Sequence, residues 1–316
     1  MLLKMRFVAP WSRDYRVSST LIVSQALIQH QDGVSLHPDL LLWEKQLSSY
    51  RQRWFDCATR NPLGWYAALC GIPPAALLAQ HCNALPEDAS QYWVASPYHA
   101  QLVRTAVRVM PEGQFSWAAE DADYLCATLN PLLAEEGMQL LAVGAALLLA
   151  CREPIAAYPH GFGAISGQLL PDTSHDGEDG LRLNRLLSEI QMLLFQHPSI
   201  ARHDRGEPDV SGLWLWSPID EDIEPHATQM AAATRNPFLQ SIVHGQDAGV
   251  TITEPEQLAE VVKQGMPLPK RIVLAGDGEA VLLTKSWLPA LGKARWKPKS
   301  PKPEGTLFTS LRSVMS

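Results

Sequence analysis

Arg185 and Glu189 stand four residues apart, so on a helix they share one face, and Gln191 adds an amide just beyond them. His197, Arg202, His203 and Arg205 follow closely, ahead of the aromatic run that holds Trp214 and Trp216. Guanidinium groups fork onto carboxylates and phosphates, and imidazoles exchange protons near neutrality. Arg185, Glu189, His197, Arg202 and Arg205, with His99 upstream, therefore form a candidate site for a small anionic or phosphorylated ligand. A structural reading competes with this one. In it Arg185 and Glu189 pair along the helix, the later arginines are solvated, and the tryptophans belong to the core. The anion reading also requires the arginines to reach past a helix carboxyl end, whose dipole repels negative charge.

Other chemistry is sparser. Asp172, His175, Asp176, Glu178 and Asp179 could hold a divalent cation if their loop folded back, or they simply form an acidic loop leading into the next helix. Gly161 to Gly167 lacks the spacing of a dinucleotide loop and follows Pro154 and Pro159 instead of a strand. There is no P-loop, no G-x-S-x-G elbow and no H-E-x-x-H. No catalytic metal and no cofactor are expected. After Leu291, Lys293, Arg295, Lys297, Lys299 and Lys302 alternate with Pro298, Pro301 and Pro303. This basic, extended tail suits an acidic protein partner, or RNA with Trp296 as a stacking group, or reads as an exposed linker, the reading that the acidic chain as a whole favours.

Several elements must position these groups. Leu183, Leu186, Leu187, Ile190 and Leu194 mark one apolar face and predict a helix from Asp179 to about Gln196, stopped by Pro198. Leu213 to Trp216 reads as a buried strand, and Tyr92 to Ala95 and Ala106 to Met110 read as two short strands bounded by Pro97 and Pro111. Ser116 is the expected N-cap of a helix running to Gly137, with Glu120, Asp121 and Asp123 in its first turns and a kink near Pro131. Met138 to Val143 and Ala145 to Arg152 predict a hairpin around Gly144, and Gly276-Asp277-Gly278 predicts another. Nearer the start, Lys4 to Ala9 reads as a short strand. The three- and four-residue spacing of Leu40, Trp43, Leu47, Tyr50 and Trp54 predicts a helix over residues 38–58. A second helical stretch, 64–80, is broken at Gly71 and Pro73-Pro74.

Without a regular β-α-β alternation, this order favours an α+β fold, a helical N-terminal region with a mixed sheet and packed helices. The organisation expected is a mainly helical region over 1–90, an α+β region over 91–290 and a basic, proline-rich tail over 291–316. With 316 residues, 46% hydrophobic and 19% charged, the chain has ample core-forming material. A net charge of −7 opposes nucleic acid and anionic membranes. The longest apolar run, Leu140 to Cys151, is about half the ~20 residues of a membrane span. Lys4 and Arg6 interrupt the first apolar stretch, and the five cysteines form no C-x-x-C, so a cytoplasmic protein with reduced thiols is expected.

The run Arg185-Leu-Leu-Ser-Glu-Ile-Gln-Met-Leu-Leu194, with His197-Pro198, Arg202, Arg205-Gly206 and Leu213-Trp-Leu-Trp216, resembles a bacterial family described as cofactor-independent phosphoglycerate mutase-like. Trp93 to His99, Leu129-Asn130, Glu135-Glu136-Gly137 and Trp296-Lys-Pro-Lys also resemble family segments. Ser96, Ser188, Phe195 and Ser199-Ile200 stand where the family has an aspartate, an asparagine, a histidine and a Val-Asn pair, and Ser217 to Ile219 replace its glycines. The serine nucleophile and two-metal set of phosphoglycerate mutases cannot be read in this chain. The resemblance therefore implies a non-catalytic or regulatory protein. The alternative is a phosphoester mutase using Arg185, Arg202 and Arg205 for the phosphate and His99 or His197 for proton transfer.

Overall fold

The computed structural model describes residues 20–30, 33–57, 60–104, 106–171, 175–220, 231–243, 249–258, 268–276, 278–286 and Leu307. The strand expected over residues 4–9, the basic tail with Trp296, Asp172 of the acidic loop and Asp277 of the second hairpin lie outside them. The protein is α+β, as its sequence predicts, and its described residues divide into two units.

The first unit takes residues up to 57, a short return at 231–235, and the chain from 243 onward. Its six-stranded sheet runs in the order Ala232–Thr234, Val250–Thr253, Thr20–Val23, Arg271–Ala275, Gly278–Lys285, Tyr50–Cys57. The first four strands run parallel, Gly278–Lys285 is antiparallel to both of its neighbours, and Tyr50–Cys57 therefore runs in the direction of the first four. The hairpin expected around Gly276 and Gly278 is present, with Ala275 opposite Ala280. One face of the sheet buries Leu21, Val23, Trp54, Ile272, Leu274, Val281 and Leu283 with Trp43 and Leu47.

The helix expected over 38–58 is not formed as one piece. Pro38–Trp43 is a 3-10 helix and Glu44–Leu47 a single α-turn, after which Tyr50–Cys57 is a strand paired with Gly278–Lys285. Tyr50, Trp54 and Cys57 are buried while Arg51, Arg53 and Asp56 face water. Leu47, Tyr50 and Trp54 satisfy helical spacing, but the aromatic bulk of Tyr50, Trp54 and Phe55 fits a pleated sheet, and pairing along the whole strand wins over local periodicity.

The second unit takes residues 60–220 and 236–242. Its sheet is fully antiparallel, in the order Gly212–Asp220, Gln91–Tyr98, Ala146–Cys151, Met138–Val143. Every residue of the central strands Gln91–Tyr98 and Ala146–Cys151 is buried, so the sheet is covered on both faces. The hairpin turn at Gly144 adopts a left-handed φ of 58°, and a Cβ there would lie 2.2 Å from Ser241 Cβ, so only glycine fits. Helices Pro62–Cys70 and Pro74–His81 are separated where Gly71 and Pro73 predict a break, and their axes differ by 84°. Among the described residues no single helix is long and apolar enough to cross a membrane.

Two longer helices frame the central segment. Ala119–Glu135 contains Pro131 and ends ahead of Gly137, whose φ is 70°. Asn130 on this helix both accepts from Leu140 N at 2.7 Å and donates to Leu140 O at 3.0 Å, fixing it to the neighbouring strand. Gly180–Gln196 buries Leu183, Leu186, Leu187, Ile190 and Leu194 as expected, each contributing about 1.5–3 kcal/mol through removal from water. The Gln191 amide donates to the Tyr98 hydroxyl at 2.8 Å, tying the helix to the sheet.

Candidate functional site

The charged residues of the central segment converge, but inward. Arg202 lies in the short helix Ile200–Asp204, whose first turn is capped by Ser199, the hydroxyl accepting from Arg202 N at 3.4 Å. Its side chain is 1% exposed. Nη1 donates to Asp121 Oδ2 at 2.8 Å, Nε to Pro208 O at 2.9 Å, and Nη2 to Ser116 O at 2.9 Å and Pro208 O at 2.6 Å. The guanidinium carbon also sits 4.8 Å from the Phe115 ring centre and 5.6 Å from that of Trp117, both in cation–π range.

Arg205 continues the network at its solvent edge. It donates to Asp121 Oδ1 and Glu207 Oε2, both at 2.7 Å, and Ser116 Oγ donates to Glu207 Oε1 at 2.7 Å. Bonds from Arg205 hold the Glu207 carboxyl below its ordinary range, and bonds to Glu207 and Asp121 raise the Arg205 guanidinium. Two guanidiniums thus meet two carboxylates with no surplus positive charge. Asp121 does further work, accepting from Ala118 N at 3.1 Å at the start of its helix. Ala118, not the expected Ser116, occupies the cap position of Ala119–Glu135, and the Ser116 hydroxyl bonds Glu207 instead.

The other predicted site residues lie apart from this network. Arg185 pairs with Glu189 at 3.0 Å, as the spacing implies, but its side chain is 83% exposed against 35% for Glu189. The Nδ1 of His99 bonds Asp209 O at 2.8 Å, and His197 is exposed, its carbonyl accepting from the Tyr124 hydroxyl. No hydrogen bond or ion pair among the described residues links Arg185, His99 or His197 to Arg202 and Arg205.

The acidic loop is also organised for structure. His175 is buried beside Trp93 and Trp214, its Nε2 at 2.7 Å from Leu215 O. Burial lowers its pKa, so it is held as a neutral ring. Asp179 accepts from Ala156 N at 2.8 Å, while Asp176 and Glu178 face water.

Two clusters escape a reading of the sequence. Glu112 is fully buried, with Asn236 Nδ2 donating to its Oε1 at 3.3 Å and its own backbone N–H donating to Ser166 Oγ at 2.9 Å. Burial raises its pKa from 4.5 to about 7, and the side chains of Asn236 and Asn61 pull it partway back. No local pattern marks a glutamate flanked by amides so distant in the chain. In the first unit, His37, Asp39 and Glu256 bring ligand atoms within 4.8 Å of one another, the group among the described residues able to hold a cation. His37 Nδ1 is 3.6 Å from Asp39 Oδ2, and Nε2 is 4.0 Å from Glu256 Oε1.

A cavity of about 230 Å³ lies among Pro86, Asp88, Asn130, Met138, Gln139 and Arg152, and two of its lining residues, Arg152 and Asp88, form a 2.7 Å ion pair. None of the predicted site residues lines it. None of the five cysteines is in a disulfide, and burial pushes the Cys126 thiol up to about 11 and the Cys151 thiol up to about 12, so neither of these two is a ready nucleophile.

No family model matches the chain, and no curated protein does. Among solved structures it is similar to the cofactor-independent phosphoglycerate mutase of Thermoplasma acidophilum, at 13% identity and a TM-score of 0.35, over 95% of this chain and 99% of that one. It is also similar to a protein of Pyrococcus horikoshii, at 11% identity and a TM-score of 0.36, over 84% of this chain and 87% of that one. The structural similarity is distant.

Proposed function

We propose that this chain is a non-catalytic, regulatory protein of the cytoplasm, in which the segment 182–216 is a scaffold that presents a surface instead of a phosphate clamp. The observation that carries this reading is Arg202, whose guanidinium donates four hydrogen bonds to Asp121, Ser116 and Pro208 and is closed to water. A group so engaged would have to break a buried ion pair to meet a ligand, at a cost of several kcal/mol, on the order of what millimolar binding supplies.

One observation favours the alternative, a metal-dependent phosphoester mutase: the convergence of His37, Asp39 and Glu256. That group offers three ligands, enough for one ion, and falls short of the two-ion set with a serine nucleophile that such enzymes use. The decisive assay follows interconversion of 3- and 2-phosphoglycerate by the purified chain with added Mn²⁺ or Mg²⁺. A rate no higher than buffer is expected. Metal-dependent turnover that scales with protein concentration overturns the non-catalytic reading.

A further inference from the structure

The helix Gly180–Gln196 is amphipathic twice over. Its core face carries Leu183, Leu186, Leu187, Ile190 and Leu194. On the opposite side Leu181, Arg185, Ser188, Met192 and Phe195 form a second stripe at spacings of four, three, four and three, which is the a/d seam of a heptad pattern. Leu181 and Phe195 are 88% exposed and Met192 58%. Leu181 at one end of the seam and Met192 with Phe195 at the other are thus large apolar side chains left in water, surface that an association would cover.

The order of residues along the seam says what covers it. Ser188 is its midpoint, with Leu181 and Phe195 seven residues to either side and Arg185 and Met192 between. A second copy of the same helix laid antiparallel about Ser188 sets Leu181 against Phe195 of the other copy, and Arg185 level with Gln191 and beside Met192. The small serines allow close approach at the crossing. Each Arg185 then lies near the Glu189 of the other copy, while its aliphatic stem covers the thioether. A parallel pair would instead place Arg185 against Arg185, like charges face to face. Charge therefore selects the antiparallel arrangement, and two-fold symmetry makes the contact self-closing.

We infer that the protein forms an antiparallel homodimer through the outer face of Gly180–Gln196, centred on Ser188. This inference is independent of whether the chain turns over a substrate. Two such faces would bury roughly 1,000 Å² together, at the low end for specific interfaces, so the dimer is weak and concentration dependent.

Sedimentation of the full-length chain from about 1 to 200 µM tests it, together with disulfide trapping. The mass should rise toward twice 34.9 kDa with concentration, and Phe195→Glu should weaken association at least tenfold. Under mild oxidation, a mixture of Leu181→Cys and Phe195→Cys chains should cross-link into a heterodimer, while neither variant alone cross-links more than the wild-type chain. A wild-type monomer throughout this range overturns the inference and leaves the face to another part of this chain or to a different protein. Self-linking of Leu181→Cys or of Phe195→Cys overturns the antiparallel geometry, as does unchanged association of Phe195→Glu.

Discussion

Arg202 with Asp121 and Arg185 with Glu189 are the same kind of ion pair, a guanidinium on a carboxylate, in two settings, their arginines 17 residues apart in sequence. The first has side-chain exposures of 1% and 3%, the second 83% and 35%. Their contact distances, 2.8 and 3.0 Å, are nearly equal. Distance therefore does not rank the two pairs. Burial does, because a charge withdrawn from water depends wholly on its partner, whereas an exposed one is hydrated whether the partner is present or not. The comparison separates an arginine that builds the fold from one that belongs to the surface.

Removing the buried partner should have the largest effect. Asp121→Ala leaves the Arg202 guanidinium among Phe115, Trp117 and backbone carbonyls with only the Glu207 carboxylate, at 3.6 Å, as a counter-charge, and should cost about 3–5 kcal/mol in urea unfolding. A loss below about 1 kcal/mol would mean that water reaches Arg202 and that the two pairs are alike.

Glu112 sharpens the contrast from another side, since it is buried beside amides and not beside a cation. Its folded carboxyl holds a proton more tightly than the unfolded one. Its contribution to stability is therefore fully present below pH 4.5 and lost as pH rises to about 7, by ~3 kcal/mol. Glu112→Gln should flatten the stability profile across that window, and a profile identical to wild type would contradict the assignment.

His175 works in the opposite sense, as its pKa is lowered by burial. The folded state resists the proton that the unfolded state accepts, so stability falls as pH drops below about 6.5. Replacing His175 with a neutral residue should remove this acid-side slope even if it lowers stability throughout, and the slope is read from melting temperatures between pH 5 and 7.

The smallest effect belongs to the exposed pair. Arg185→Ala or Glu189→Ala should shift stability by no more than about 0.5 kcal/mol, and 1 M salt should erase the difference.

What the sequence discloses follows the range of the forces involved. Gly180–Gln196, the Gly144 hairpin, the break between Cys70 and Pro74, and the Arg185–Glu189 pair are all encoded within a few residues, and all are legible. Tyr50–Cys57 is not, because its aromatic spacing satisfies helix and strand alike and the partner strand that decides lies more than two hundred residues away. The inward turn of Arg202 is hidden for the same reason. Its acceptors Asp121 and Ser116 are 81 and 86 residues upstream, where the sequence marks them only as helix-start residues. A charge-rich segment advertises chemistry, and only the tertiary partners show whether that charge is already spent.

Paired double-mutant cycles in the one chain test this most directly, with stability measured by urea unfolding for Arg202→Met with Asp121→Ala and for Arg185→Met with Glu189→Ala. The account predicts a coupling of at least ~2 kcal/mol for the first pair and below ~0.5 kcal/mol for the second. Equal couplings, or the larger one at Arg185 and Glu189, would contradict the assignment of Arg202 to the scaffold.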